Sequence, residues 1–233
     1  KNVDDLVKIN DLAHNYIKKH LKNMDLELKM TDEGAWALEF SVEEILDLLK
    51  KIVKEVLDET GVDLRLGIDV AANSFWDGKN YVYRDKKLDS LNQLEYIGSL
   101  IEKYDLRYLE DPLHEEDFSG FAMLNENFGK KCMITGDDLI VTNVKRLEKA
   151  IEMKSINAMI VKPNQNGSLL GFKEVVELAK KEKLKLIISH RSGETLDDSL
   201  VDLGVGFKIP LIKCGVYGKE RKVKLDRLRK ISK

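Results

Sequence analysis

Six short apolar runs along the chain each end in a residue whose side chain can carry out chemistry. In chain order, these residues are Asp69, Glu110, Asp137, Lys162, His190 and Lys213. Carboxylates can bind a divalent cation, lysine and histidine can move a proton, and a cationic lysine can hold an anion. If the six runs are strands that end at one edge, the sequence predicts a site built from residues far apart in the chain.

The most polar of these places is the segment Ser189–Thr195, which reads S-H-R-S-G-E-T after the apolar run Leu184–Ile188. A histidine, an arginine and a serine hydroxyl here could bind an anionic ligand. The simpler interpretation is a strand end followed by a helix cap, with Thr195 and Asp198 beginning the next helix. We interpret Glu194 and Thr195 as structural residues.

The elements that position these residues alternate between strand and helix from Leu64 onward. The predicted strands are Leu64–Ala71, Leu106–Leu109, Cys132–Thr135, Ala158–Val161, Leu184–Ile188 and Ile209–Ile212. The predicted helices between and after them are Ser90–Tyr104, Phe118–Asn127, Val144–Met153, Leu169–Lys183, Thr195–Leu203 and a last helix ending at Ile231. Nearly continuous apolar strands joined by helices predict a parallel sheet covered by helices.

Two architectures fit such a sheet, an open doubly wound sheet and a (β/α) barrel. An open sheet collects its site at one switch point, so only a few strands contribute, whereas a barrel brings every strand end to one mouth. Because all six predicted strands end in a reactive residue, the pattern favours the barrel. No low-complexity linker interrupts the chain, and we expect residues 1–233 to form one domain.

The first sixty residues carry two helical patterns, Asp4–Lys22 and Val42–Thr60, joined by a segment that contains L-K-M-T-D-E-G at 28–34. Ser41 followed by Glu44 predicts a capping box at the second helix. Ser90 and Gln93 predict another such box, and F-W-D-G-K-N-Y-V-Y predicts a hairpin at Asp77-Gly78.

Composition excludes several classes of function. The chain has 39 Lys and Arg against 41 Asp and Glu, mixed along its length, which argues against binding nucleic acid or an acidic membrane surface. No apolar run approaches the roughly 20 residues that a membrane-spanning helix needs. Cys132 and Cys214 lie in apolar runs without metal-site spacing, so a reducing cytoplasm is the expected location.

Six strings, in order, resemble the barrel-domain motifs of the enolase family. They are G-I-D-V-A-A-N-S-F, Y-L-E-D-P-L-H-E-E-D, T-G-D-D-L-I-V-T-N, V-K-P-N-Q-N-G-S, I-S-H-R-S-G-E-T and I-K-C-G, and the resemblance extends from about Lys29 to Arg221. It implies an α/β fold, a TIM-like (β/α) barrel of the enolase C-terminal type. It also implies the Mg²⁺-dependent dehydration of 2-phosphoglycerate to phosphoenolpyruvate in glycolysis.

The resemblance implies a metal site and a base. Asp69, Glu110 and Asp137 correspond to the Mg²⁺ ligands, and Lys162 corresponds to the general base. Chemistry supports the first assignment, because three converging carboxylates repel one another unless a divalent cation lies among them. Taken singly, each acid could be a solvated or capping residue, and Lys162 could be a lysine reaching out from a barrel rim. Asp111 and Asp138, next to two ligands, are expected to support them or to begin helices.

The resemblance also implies a binding site for a small phosphorylated acid. Arg191 and Ser192 correspond to the phosphate partners, Lys213 to the lysine that holds the carboxylate, and His190 to the active-site histidine. Alone, His190 could be a strand-end histidine bonded to backbone. Glu33, in T-D-E-G-A, corresponds to the glutamate that helps the hydroxyl leave as water, a step that needs a proton donor.

The chain also departs from the family. The N-terminal domain and the first two barrel strands are absent, so the barrel is incomplete, and we expect them to be encoded before Lys1. Ala35, Pro163, Asn166 and Cys214 replace the family's usual residues. The alternatives are therefore a relative of enolase with a different carboxylate substrate or a truncated, non-catalytic relative. The full-length protein is expected to be a homo-oligomer.

Overall fold

A computed structural model describes residues 2–24, 28–31 and 33–232. Its helices are α1 Val3–Lys22, α2 Val42–Thr60, α3 Ser90–Tyr104, α4 Phe118–Phe128, α5 Val144–Glu152, α6 Pro163–Asn166, α7 Leu169–Lys181, α8 Ser199–Gly206 and α9 Lys219–Ile231. Its strands are β1 Lys29–Met30, β2 Trp36–Ala37, β3 Gly67–Asp69, β4 Tyr81–Val82, β5 Lys87–Leu88, β6 Tyr108–Glu110, β7 Met133–Gly136, β8 Ala158–Val161, β9 Lys185–Ser189 and β10 Leu211–Lys213. No helix within these ranges is long and apolar enough to cross a membrane.

The predicted strands form one six-stranded sheet in the order β10-β9-β8-β7-β6-β3. The pairings from β3 through β9 are parallel, as the nearly continuous apolar runs predicted. The register makes Asp69 of β3 the partner of Glu110 of β6, and Glu110 the partner of Thr135 of β7. Neighbouring strands therefore bring their carboxyl ends, and the acids there, to the same edge.

The chain divides into two compact units. The helical unit comprises Lys1–Leu64, His190–Gly206 and Lys213–Lys233, and the sheet unit comprises Arg65–Ser189 and Phe207–Ile212. That residues 1–233 form a single domain stays a prediction.

The core of the sheet unit consists of the strands and the faces of the helices that cover them. All four residues of β8 are buried, and Leu186, Ile187 and Ile188 of β9 are buried beside them. Phe172 and Val176 of α7 are also fully buried. Removal of these apolar surfaces from water stabilises the sheet and fixes the positions of its strand ends.

The helical unit is organised by the packing of α1 on α2. Ile9 and Leu21 of α1 lie in one buried cluster with Leu48, Ile52 and Val56 of α2. The predicted capping box of α2 is confirmed, since the Ser41 hydroxyl accepts from the Glu44 amide and the Glu44 carboxylate accepts from the Ser41 amide.

One predicted capping box and one predicted helix start are wrong, although α3 begins at Ser90 as predicted. Helix α3 is capped by Asp89, whose carboxylate accepts from the Asn92 amide, and Gln93 instead donates to the Pro112 carbonyl in the interior. Helix α8 begins at Ser199 rather than Thr195. In the second case the carbonyl of Thr195 accepts a bond from the buried Lys224, and the Ser199 amide donates to the Asp197 carboxylate.

The first strand of the sheet is shorter than predicted, whereas the predicted hairpin at Asp77-Gly78 is present. Strand β3 ends at Asp69, because Ala71 has a left-handed φ of 46° and a 3₁₀ turn follows at Ala72–Phe75. The turn at Asp77-Gly78 closes a single antiparallel bridge between Trp76 and Tyr81.

Candidate active site

The sheet unit collects acidic side chains at the ends of three neighbouring strands. Carboxylate oxygens of Asp69, Glu110 and Asp111 lie within 4.8 Å of one another, and so do those of Asp111, Asp137 and Asp138. Asp69 and Glu110 thus belong to the first group and Asp137 to the second. Asp111 belongs to both groups and joins the three predicted metal ligands.

Asp111 is a buried member of this cluster, and it also supports the backbone. Its two carboxylate oxygens accept from the amides of Asp137, over 3.0 Å, and Asp138, over 2.9 Å. Burial raises the pKa of Asp111 well above its usual range, and the Asp137 and Asp138 carboxylates act in the same direction. The residue therefore fixes the backbone at the end of β7, and its raised pKa reflects the crowding of carboxyl groups there.

Glu110 is also buried, with 1% of its surface exposed, and accepts a hydrogen bond from the hydroxyl of Tyr108. Burial raises the pKa of Tyr108 above its ordinary range, and the Glu110 charge raises it further. Burial likewise raises the pKa of Asp138, with Asp137 as the next cause. Such a set of crowded, hard oxygen donors fits a divalent cation, which would offset their mutual repulsion.

Lys162 directly follows β8 and its ammonium donates to Oδ2 of Asp137. Only 14% of its side chain is exposed, so it is not a lysine that extends from the rim into water. Its backbone amide donates to the hydroxyl of Thr142, and Gln165 contacts the other Asp137 oxygen over 3.4 Å. These contacts bring the predicted base together with a predicted metal ligand.

The helical unit brings Glu33, His190 and Ser192 together. The Ser192 hydroxyl donates to Oε1 of Glu33 over 2.6 Å, and Nε2 of His190 lies 3.9 Å from Oε2 of the same carboxylate. The Ser192 bond lowers the pKa of Glu33, and the charge of Lys213 assists. Burial lowers the pKa of His190, so its neutral form is favoured.

A tight turn positions Glu33. The Gly34 amide donates to the Thr31 carbonyl over 3.0 Å, and the Ala35 amide donates to the Thr31 hydroxyl. Gly34 has a φ of 78°, and a Cβ there would lie 2.9 Å from Cβ of Tyr217. Ala35, which replaces a family glycine, is not among the positive-φ residues, so that departure requires no strained backbone. Asp32 of the motif lies outside the described residues.

The remaining predicted residues flank this group. The His190 amide donates to the Lys213 carbonyl over 3.1 Å, which ties the residue after β9 to the end of β10. The Arg191 side chain is exposed, and its backbone amide donates to Oε1 of Glu194 over 2.8 Å. Glu194 is therefore a structural residue, as the sequence indicated.

The other departures from the family are accommodated locally. Pro163 and Asn166 form the single turn of α6, and the Asn166 amide group donates to the Thr142 carbonyl over 3.0 Å. Burial raises the pKa of the Cys214 thiol to about 11, which makes it a poor nucleophile near neutral pH.

Sequence reasoning missed residues that, within each unit, hydrogen-bond to the predicted site residues or to their neighbours. They include Thr142, Gln165, Arg221 and Lys224. The last two lie in K-E-R-K-V-K, where alternating charges predict an exposed helix face, yet both are buried. No spacing signal distinguishes them from their exposed neighbours.

Known proteins resemble the chain over nearly all of its length. The model of the family described as "Enolase, C-terminal TIM barrel domain" matches residues 2–233. The enolase of Archaeoglobus fulgidus is 46% identical over 224 residues, which is 96% of this chain and 56% of that relative. The enolases of Halobacterium salinarum and Methanothermobacter thermautotrophicus are 40% and 41% identical, over 96% and 99% of the chain. The chain spans 56% or 57% of the length of these three relatives.

Proposed function

Because the chain belongs to the enolase family, in its C-terminal TIM barrel domain, we propose that it supplies the barrel part of a lyase acting on 2-phosphoglycerate. The reaction is the reversible dehydration of 2-phosphoglycerate to phosphoenolpyruvate, in the glycolysis of the cytoplasm. The full-length protein is proposed to be a homo-oligomer. The observation that carries the proposal is the cluster of acids at three strand ends with the partly buried Lys162 ammonium beside it.

Asp69, Glu110 and Asp137 would hold Mg²⁺, supported by Asp111 from behind. A bound Mg²⁺ would supply positive charge next to the substrate carboxylate and so make loss of the neighbouring proton easier. Three of the four acids are buried, which strengthens their electrostatic interactions with a bound cation.

Lys162 is assigned the role of general base at Nζ. It would accept the proton from the carbon next to the substrate carboxylate, which requires the neutral amine. The low exposure of its side chain keeps competing water away from that nitrogen. In the structure its Nζ donates to Asp137, so proton transfer requires that this contact be given up.

Glu33 is assigned the role of acid toward the leaving hydroxyl, and it must be protonated for that step. In the ligand-free arrangement the Ser192 bond lowers its pKa and favours the carboxylate. If Ser192 turns to the substrate phosphate, Glu33 loses this bond and its pKa rises toward the ordinary value. Phosphate binding would thereby favour the protonated form of Glu33, which the step requires. Arg191 would pair with the phosphate and Lys213 with the carboxylate.

The test is formation of phosphoenolpyruvate from 2-phosphoglycerate, followed by ultraviolet absorbance with and without Mg²⁺. We expect turnover by the natural full-length protein that depends on Mg²⁺ and is lost in Lys162→Ala. Binding of Mg²⁺ and 2-phosphoglycerate without turnover would instead indicate a non-catalytic relative. Absence of Mg²⁺ binding by calorimetry would contradict the enzymatic proposal altogether.

A further inference from the structure

Lys224 of α9 is a fully buried cation that the proposed reaction does not use. Its side chain is 1% exposed, and its ammonium lies 2.6 Å from Oε2 of Glu194. It also donates to the carbonyls of Thr195, Asp197 and Glu220 over 2.8 to 2.9 Å. Four oxygen partners thus surround the ammonium group.

Burying an ammonium group is costly unless its protons are paired, and here every partner except one comes from the segment 194–197. The segment has no regular secondary structure of its own, because α8 begins only at Ser199. Two of its backbone carbonyls, those of Thr195 and Asp197, bond to Lys224. The cation consequently dictates the path of the chain just after the predicted phosphate residues.

Glu194 transmits this constraint to Arg191. One carboxylate oxygen pairs with Lys224, and the other accepts the Arg191 backbone amide over 2.8 Å. Although burial raises the pKa of Glu194, the bonds from Lys224 and Arg191 lower it by more, so the ionised form is favoured. A series of charge-assisted hydrogen bonds thus connects α9 to the backbone of Arg191.

Arg221, one turn earlier on α9, acts on the same stretch. It is 3% exposed, and its guanidinium donates to the Ser192 carbonyl over 3.0 Å and the Arg191 carbonyl over 3.4 Å. Two buried cations of one helix therefore hold the backbone from Arg191 through Asp197.

We propose that Lys224 is a positioning residue: through Glu194 it fixes the backbone at Arg191 and Ser192 and so sets where their side chains meet a phosphate group. The inference rests on the proposed function, in which Arg191 and Ser192 bind the phosphate of 2-phosphoglycerate. Lys224 itself, enclosed by protein oxygens, does not touch that substrate.

The test compares three variants of the natural full-length protein. Lys224→Met keeps the length of the side chain and removes its charge and donors. Lys222→Met makes the same change at an exposed lysine of the same helix and is the matched control. Glu194→Gln removes the charge of the connecting carboxylate and keeps an oxygen acceptor. Amide hydrogen exchange of residues 190–197 reports order, and calorimetry with 2-phosphoglycerate and with Mg²⁺ reports binding.

In Lys224→Met we expect exchange in 190–197 to rise about tenfold or more, with β8 unchanged, as the loss of charged hydrogen bonds predicts. The dissociation constant for 2-phosphoglycerate should rise by about tenfold, while that for Mg²⁺ stays the same because its proposed ligands lie in the sheet unit. Lys222→Met should match the wild type in all three measurements.

Wild-type exchange in Lys224→Met, or a loosened segment with unchanged affinity for 2-phosphoglycerate, would overturn the proposal. If Lys224→Met does not fold, Glu194→Gln decides, with increases of about threefold expected in both measurements and wild-type values counting against the proposal. If the wild-type full-length protein binds no 2-phosphoglycerate, the proposed function fails, and the exchange comparison alone decides whether Lys224 holds the segment.

Discussion

Ser192 donates a hydrogen bond of 2.6 Å to Glu33, although 159 positions separate the two residues in the chain. Each residue was assigned to the site for a different reason, Glu33 as an acid and Ser192 as a phosphate partner. Their contact means that the protonation of one depends on the hydrogen bonding of the other. A substrate that takes the hydroxyl of Ser192 would change the acidity of Glu33.

Ser192→Ala is therefore expected to raise the pKa of Glu33 toward its ordinary value of 4.5. The folded-state pKa is lowered in the wild type, so the bond contributes stability above pH 4.5 that is lost as the pH falls through the lowered value. Carboxyl ¹³C NMR titration of Glu33 measures the shift. Ser232→Ala, at an exposed hydroxyl that donates to a backbone carbonyl, is the control. An unchanged Glu33 titration in Ser192→Ala would contradict the contact.

Lys162→Met is expected to abolish exchange of the substrate carbon's proton with solvent while strengthening Mg²⁺ binding. The variant removes the base but also removes a cation that competes for Asp137, so the Mg²⁺ affinity should rise by about threefold to tenfold. Isotope exchange into 2-phosphoglycerate and calorimetry with Mg²⁺ measure the two effects. Lys185→Met, at an exposed position where β9 begins, should change neither. Weaker Mg²⁺ binding in Lys162→Met would show that the lysine supports the metal site.

Asp111→Asn is expected to change how stability depends on pH in the absence of Mg²⁺. The folded-state pKa of Asp111 is raised, so its contribution is most favourable at low pH and is lost as the pH rises from the unfolded-state value of 3.8 toward the folded-state value. The wild type should therefore lose stability over that range, and Asp111→Asn should lose less.

Thermal unfolding in a chelating buffer measures this difference. The pH is varied from about 3.5, near the ordinary pKa of an aspartate, to neutrality. Asp85→Asn, at an exposed acid, is the control. Asp111→Asn should also weaken Mg²⁺ binding by about tenfold, because one of the two acceptors for the Asp137 and Asp138 amides becomes a donor. Parallel pH profiles for both proteins would contradict the assigned charge state.

The sequence predicted the strands and the acids at their ends because both follow from local patterns. A strand buried on both faces, such as β8, requires a continuous apolar run, and the residue after it is the first that can be polar. The role of Asp111 depends instead on a backbone 26 positions away. The start of α8 was misjudged for the same reason, since the carbonyls of Thr195 and Asp197 bond to Lys224 of α9. Long-range hydrogen bonds of this kind leave no periodic signal in the sequence.

Gly34→Ala is expected to destabilise the helical unit more than Gly61→Ala. Both glycines have positive φ, 78° and 65°, so both variants carry the strain of a side chain in the left-handed region, roughly 1 kcal/mol. A Cβ at Gly61 meets nothing within 4 Å, whereas a Cβ at Gly34 would lie 2.9 Å from Cβ of Tyr217. The difference between the two variants therefore isolates the steric contact beside Glu33. Urea unfolding of the chain measures it, and we expect Gly34→Ala to lose about 1 kcal/mol more than Gly61→Ala. Equal losses would mean that Tyr217 moves aside freely and does not hold the Glu33 turn in place.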